Sequence, residues 1–370
     1  MPGPLRGLRV VELAGLGPVS FCCMLLADMG AEILTLRAPA GAARDPMLLE
    51  HDPLLRGRTV LECDLKRDGV VDCVLEVLDA ADILLEGYRP GVMERLGLGP
   101  DTCLARRPTL VYGRVTGWGQ NGPLATAPGH DPNYLALTGA LATIGYPDRP
   151  PVLPLNLVAD LSGGALFLLT GVLAALAHVR AGGEGQVVDA AMIDGVASLM
   201  SWVYAAHEEG VWQTRRSANL MDGGCPFSSV YETADGRYVA VAAVEPQFYA
   251  ALLDGLGLEQ ATLPPREDRA RWPELRTAIA AAFSTRTRQE WSDLLEGTPA
   301  CVSPVLELDE VAEHPQIVAR QALSGASQGP VAAPRFSRTP SAVAAAERGS
   351  PAALLESWGV APRTIKELSV

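Results

Sequence analysis

The chain has 370 residues, 48% of them hydrophobic and 20% charged, which is enough apolar material for two domains or for one large domain with an insertion. A formal net charge of −13 argues against nucleic acid or an anionic membrane as the general partner, and an anionic small ligand would have to meet a local gathering of Arg and Lys. No uninterrupted apolar run reaches about 18 residues, so no membrane span is expected.

The opening Met1-Pro2-Gly3-Pro4-Leu5-Arg6 lacks a signal peptide's apolar region, and the closing Glu367-Leu368-Ser369-Val370 is not a peroxisomal address. Seven cysteines without paired spacing fit a reducing compartment, and a cytoplasmic location is expected. Cys22 and Cys23 are adjacent in an apolar run and read as core. Without Cys-x-x-Cys or His-Glu-x-x-His, no metal site is expected.

In chain order, residues 8–13 read as a strand, 14–18 as a turn, 21–29 as a helix stopping at Gly30, and 31–36 as a second strand. Strand 59–65, helix 68–78, strand 81–85, short helix 91–96 and strand 109–116 follow. This βαβα order predicts a parallel sheet with helices on its faces and a ligand at the carboxyl ends of the strands. After a polar loop through Gly129, a helix is predicted from Pro132, then a long buried helix over 161–179. The start of that long helix, Ser162-Gly163-Gly164, would let a neighbour or a ligand come close. A strand at 186–190 and a helix at 192–204 complete this part.

The character changes near residue 226. Segments 230–231 and 237–244 flank Asp235-Gly236, a hairpin signal, and helices are predicted at 246–256, 272–283 and 288–295. This is a second, smaller α/β region. A Pro/Ala/Ser-rich stretch over 324–350 reads as extended, and 352–358 as a final helix. No internal repeat is visible.

Several residues have chemistry beyond packing. His130, between Gly129 and Asp131 at a loop-to-helix junction, has the side chain whose ordinary pKa suits proton exchange near neutrality, although on its own it reads as a polar loop histidine. Asp131 before Pro132 reads as an N-cap with proline at the first helical position. Asp160, among Leu157-Val158-Ala159 and Leu161, is expected to have a raised pKa, and it reads equally as the N-cap of a helix beginning near Leu161. Glu245 closes an apolar strand before Pro246, where a helix start favours a carboxylate. Arg89 lies at a strand's carboxyl end. Gly15-Leu16-Gly17 is too short for a dinucleotide fingerprint, and no NAD is inferred.

An ordered set of phrases resembles the family III CoA-transferases (the CaiB/BaiF-like superfamily), and within them the α-methylacyl-CoA racemases. The phrases are residues 8–13 (Leu8-Arg9-Val10-Val11-Glu12-Leu13), Asp64-Leu65-Lys66, Glu86-Gly87-Tyr88-Arg89-Pro90-Gly91-Val92, Thr116-Gly117-Trp118-Gly119-Gln120, and Gly129-His130-Asp131 with Asn133-Tyr134. Pro154-Leu155-Asn156-Leu157 with Asp160, Asp222-Gly223-Gly224, and Glu245-Pro246-Gln247-Phe248-Tyr249 follow.

The resemblance implies an α/β fold. A Rossmann-like large domain with a parallel sheet would be built from both ends of the chain, with a smaller α/β domain from the middle, in an interlocked homodimer whose active site lies between one subunit's large domain and the other's small domain. The expected division is 1–190 large domain, 191–225 linker helix and loop, 226–322 small domain, and 323–370 returning to the large domain. The implied activity is 1,1-proton transfer at the α-carbon of a 2-methylacyl-CoA thioester through an enolate-like intermediate. Coenzyme A enters only as part of the substrate, with no separate cofactor and no metal.

The resemblance further implies that His130 and Asp160 are the opposed bases, that Glu245 orients His130, and that the backbone N–H of Asp131 meets the thioester oxygen. It places Asn156 at the site and Arg58, Lys66 and Arg89 at the CoA phosphates, with Arg37 as a further candidate cation there. In transferase relatives the residue at Asp160 would instead be the nucleophile, and a non-catalytic acyl-CoA-binding protein is a third reading. The chain departs from the pattern at Ala38, where relatives have an arginine; Arg37 stands one step earlier and, by strand alternation, points the other way. Further departures are Pro18-Val19-Ser20, Ser228, and an apparent small insertion at 51–55.

Overall fold

The computed structural model describes residues 3–15, 17–39, 52–324, 329–343 and 349–368, so Leu16, His51, and parts of the 324–350 stretch and of the C-terminus lie outside it. The described chain divides into two compact units, one within Met1–Thr138, Pro154–Met200 and Gln321–Val370, the other within Gly139–Leu153 and Ser201–Arg320.

The first unit is built on six strands: β1 (Arg9–Leu13), β2 (Glu32–Arg37), β3 (Arg58–Glu62), β4 (Ile83–Glu86), β5 (Val111–Thr116) and β6 (Val187–Ala191). Every pairing is parallel, in the order β3-β2-β1-β4-β5-β6. Strands buried on both faces read as the near-continuous Val/Ile/Leu runs seen here. One face, including Val11, Leu34, Leu84 and Tyr112, packs with the helix Val70–Leu78 and with Leu355, Trp358, Ile365 and Leu368 from the C-terminal helices Pro351–Trp358 and Pro362–Leu368. Trp358 Nε1 donates to Glu32 Oε2 at 2.7 Å, fixing that return. The chain order reverses between β1 and β4, so the crevice beyond their carboxyl ends is the place such a sheet offers a ligand.

The long apolar helix differs from its expected form. It begins at Leu157 rather than 161, runs as a π-helix to Leu166, and continues as an α-helix over Phe167–Arg180. This continuous run is long and apolar enough to cross a membrane by length and composition, with a mean hydropathy of 1.8 and 33% of that window buried, so it is less buried than its composition suggests. Its glycines have a packing reason. The helix Met192–Leu199 lies against it so closely that a Cβ on Gly195 would come 1.9 Å from the Gly163 carbonyl oxygen, and one on Gly163 would press on Val196.

In the second unit, β7 (Ser228–Glu232), β8 (Tyr238–Ala242) and β9 (Val302–Pro304) form an antiparallel sheet. Gly236, at φ 72°, supplies the left-handed residue that closes the β7–β8 hairpin. The helices Pro246–Leu256, Trp272–Phe283 and Arg288–Leu295 bury Tyr249, Leu252, Ile279, Phe283 and Trp291 over it.

Residues 139–153 join this unit rather than the large domain, because Arg216 donates to the carbonyls of Ala142, Tyr146 and Arg149. The expected linker is likewise divided, its first helix packing in the first unit and Ser201–Glu208 belonging to the second. The helices Pro100–Arg106, Pro315–Arg320 and Pro362–Leu368 and strand β9 are additions to the sequence reading. They are short, and their boundaries come from tertiary contacts more than from periodicity.

Gly195→Ala should destabilise the first unit by roughly 1–3 kcal/mol, because backbone rather than a flexible side chain stands in the way. Chemical denaturation compared with the wild type checks this, and an unchanged midpoint would contradict the close approach.

Candidate active site

At the junction of loop and helix Asp131–Leu137, His130 is the N-cap residue, with extended backbone (φ −135°, ψ 175°), and Pro132 stands in the first turn. The N-cap is therefore one residue earlier than the Asp131 expected. Asn133 Oδ1 accepts from His130 N at 3.0 Å, and His130 O accepts from Asn133 N at 2.8 Å, which closes the turn and leaves His130 itself exposed.

Asp131 is only 3% exposed, and its carboxylate caps a different helix. Oδ2 accepts from the backbone N–H groups of Ala159 at 2.8 Å and Asp160 at 2.9 Å. These lie in the first turn of the π-helix, where N–H groups have no intrahelical partner. Asp131 Oδ1 is buried without a hydrogen-bond partner among the described residues.

Asp160 is thus inside the first turn of its helix rather than at its N-cap, a position held by Asn156. Leu155, at φ 60°, adopts a backbone that a branched residue rarely takes, and this turns the chain into the helix. Burial, with Asp131 close by, pushes the Asp160 carboxyl above its ordinary value, against a hydrogen bond from Asn156 and the nearby His130. A Cβ added at Gly17, just after β1, would lie 3.7 Å from Asp160 Oδ2. That locates Asp160 at the strand-order reversal.

Tyr134, 5% exposed, lies near Asp160, and nothing in its residue type marked it for a role there. Its ring meets Trp118 edge-on with centroids 4.7 Å apart. A methyl group at Gly117 would fall 2.0 Å from its Cζ, which explains the glycine in Thr116-Gly117-Trp118. Burial, then Asp160, push the Tyr134 phenol up to about 12, while Arg89 acts in the opposite direction.

The expected cations separate into two groups. Arg37, Lys66 and Arg89 are exposed at or just beyond the carboxyl ends of β2, β3 and β4. Arg37 pairs with Glu62 at 2.9 Å on the surface, a weak bond that a phosphate could displace. Glu86 shapes the loop before Arg89 by accepting from Tyr88 N at 2.7 Å, and Arg114 holds Glu86 in turn. Arg58 is different. It is fully buried, bonded to Glu12 at 3.1 Å, to the Arg56 carbonyl at 3.0 Å and to the Ser20 carbonyl at 2.5 Å. It is a structural cation under the first βα turn, and its donors are not turned toward a solvent-borne phosphate.

In the second unit, Glu245 is exposed at the N-cap of Pro246–Leu256, and Asp222 organises a loop by accepting from Asn219 N and Gly224 N at 2.8 and 3.0 Å.

The model of CoA-transferase family III matches residues 5–352. The chain belongs to CoA-transferase family III. Within the family it is similar to the mouse (Mus musculus) alpha-methylacyl-CoA racemase, 44% identical over 349 residues, covering 93% of this chain and 89% of the relative. It is 42% identical over 310 residues to the human (Homo sapiens) alpha-methylacyl-CoA racemase, covering 84% and 80%. A CaiB/BaiF family protein from Brucella suis has the same fold, with a TM-score of 0.81 at 22% identity, covering 97% of this chain and 100% of that one. His130, Asp131, Asn156 and Asp160 all lie in the first unit, with Tyr134 near Asp160, whereas Arg58 is buried.

Two outcomes follow. Arg58→Met should cost about 3–5 kcal/mol in chemical denaturation, because it leaves Glu12 buried and uncompensated. Asp160→Asn should have the opposite sign. A carboxyl whose folded pKa is raised destabilises the fold as pH rises from its unfolded through its folded pKa, so the variant should be at least as stable as the wild type above that window and lose the associated pH dependence. Stability measured against pH would show this, and a variant less stable than the wild type at neutral pH would contradict it.

Proposed function

We propose that this family III chain interconverts the two configurations of 2-methyl-branched acyl-CoA thioesters by moving the α-proton. The observation that carries the reading is the half-buried Asp160 at the strand-order reversal, its backbone tied through Asp131 to the junction that bears His130, where burial raises its carboxyl. The mouse and human relatives carry the name of that reaction.

The chemistry requires a base on one face of the α-carbon, an acid on the other, and stabilisation of the thioester oxygen as it becomes enolate-like. Because the α-C–H is far weaker as an acid than any side chain, oxyanion stabilisation is the larger demand, with general acid–base transfer contributing about 10²–10⁴-fold. Asp160 and His130 take the two proton-transfer roles. A carboxyl held above its ordinary pKa gives and takes a proton nearer neutrality than a free one. The first N–H groups of the helix Asp131–Leu137, that of Asp131 foremost, suit the oxygen, and Asn156 steadies Asp160. Arg37, Lys66 and Arg89 would meet the phosphates of the CoA carried by the substrate, so the reaction calls for no further cofactor.

We place Glu245 beside His130 as its orienting partner, contributed by a second copy of the chain in an interlocked homodimer. Exposed apolar residues along the helices support a covering copy: Leu157, Leu166 and Phe167 in the first unit, Leu199 next to it, and Trp202 in the second. Seven cysteines without a disulfide fit a cytoplasmic setting.

The test is NMR of a 2-methylacyl-CoA in D₂O with wild-type protein and with Asp160→Ala. Enzyme-dependent α-deuterium incorporation with loss of optical purity, abolished by the substitution, is expected. No exchange over a panel of such thioesters, with CoA passing instead to an added carboxylic acid, would overturn the reading in favour of a transferase with Asp160 as nucleophile.

A further inference from the structure

We infer that Arg266, in the second unit, is the positioning residue that sets the direction of Glu245; the inference rests on the reading of Glu245 as the partner of His130. Glu245 leaves β8 with extended backbone (φ −75°, ψ 149°) and is followed by Pro246, which has no N–H and confines its neighbour to such a conformation. The remaining freedom is the tilt of the peptide plane joining Val244 to Glu245. Arg266 Nη2 donates to the Val244 carbonyl, which is one edge of that plane.

The residues on either side are held by the aromatic pair that holds Arg266. Ala243 N donates to the Phe227 carbonyl at 2.8 Å, and Tyr249 N donates to the Glu245 carbonyl at 2.9 Å. The Arg266 guanidinium lies 4.2 Å from the Phe227 ring centroid and 4.9 Å from that of Tyr249. Trp272 Nε1 donates to the Arg266 carbonyl at 2.8 Å, fixing the backbone from which the side chain projects.

An ion pair does not account for this arginine. Its carboxylate neighbour, Glu267, is 3.5 Å from Nε and 78% exposed, whereas the arginine side chain is 15% exposed. A planar guanidinium can lie against two rings and still aim a donor at a carbonyl, and a lysine ammonium cannot do both. The direction in which the Glu245 side chain leaves the backbone is therefore set through its peptide by a cation that never reaches the reacting atoms.

A racemase with opposed bases makes this testable. Inversion requires both bases, whereas exchange of the α-proton with retention requires only the base facing it. In the intact protein, Arg266→Met should lower the rate constant of racemisation about ten- to a hundredfold, with little change in KM. α-Deuterium exchange with retention should persist from the enantiomer whose proton faces Asp160 and fall for the other. The double variant Arg266→Met, Glu245→Gln should be no slower than Glu245→Gln alone, and Arg266→Lys should lie between Arg266→Met and wild type.

An equal loss of exchange from both enantiomers, or losses that multiply in the double variant, would overturn the inference and make Arg266 a packing residue. Should Arg266→Met fail to fold, the same two comparisons with Arg266→Lys decide. Absence of α-proton exchange in the wild type would take down the racemase reading, and this inference with it. That failure is told apart from the failure of the inference alone because it shows in the unsubstituted protein.

Discussion

The site depends on one buried carboxylate. Asp131 reaches across 28 and 29 residues of sequence to accept the N–H groups of Ala159 and Asp160, the unfilled donors at the start of a π-helix. The backbone that carries Asp160 is thereby bound to the backbone that carries His130 through two hydrogen bonds to one side chain. The same carboxylate, sitting near Asp160, helps to keep that second acid reluctant to ionise. Support and tuning come from a single side chain, and a substitution there would disturb both at once.

Around this link the chain achieves proximity by omitting side chains. Gly163 and Gly195 let two helices nearly touch, and Gly117 and Gly129 make room for Tyr134 and Trp118. Beneath the same crevice, Arg58 and Glu12 neutralise each other in the core, and Thr35 Oγ1 donates to Glu12 Oε2. Cys22 and Cys23 pack beside them, their thiols pushed well up by burial and then by Glu12, so they are poor nucleophiles despite their number.

Much of the first sheet was legible because parallel strands buried on both faces must be apolar throughout, and because Gly and Pro punctuate them. The hairpin at Asp235-Gly236 was legible for an equally local reason, since a left-handed position must be filled cheaply. His130 and Asp160 were legible as a pair only through the order of the phrases that contain them. Their residue types alone read as a loop histidine and a cap. The burial of Arg58 was not legible, because an arginine between Gly57 and Thr59 carries no local sign of it. Its partner, Glu12, is 46 residues away in sequence and becomes its neighbour only when β1, β2 and β3 pair in register.

The sequence by itself determined the α/β class, every strand but the short β9, the principal helices, and the identity of the acids, bases and cations available. Those follow from periodicity, turn chemistry and side-chain type, which act over a few residues. Tertiary structure alone decided the strand order, the π-form of the helix at Leu157, the transfer of residues 139–153 to the second unit, and the division between buried and ligand-facing arginines. Each of these is settled by a contact between residues distant in the chain, such as Arg216 with three carbonyls or Asp131 with two amides. No local propensity encodes which of several chemically equivalent partners will be reached.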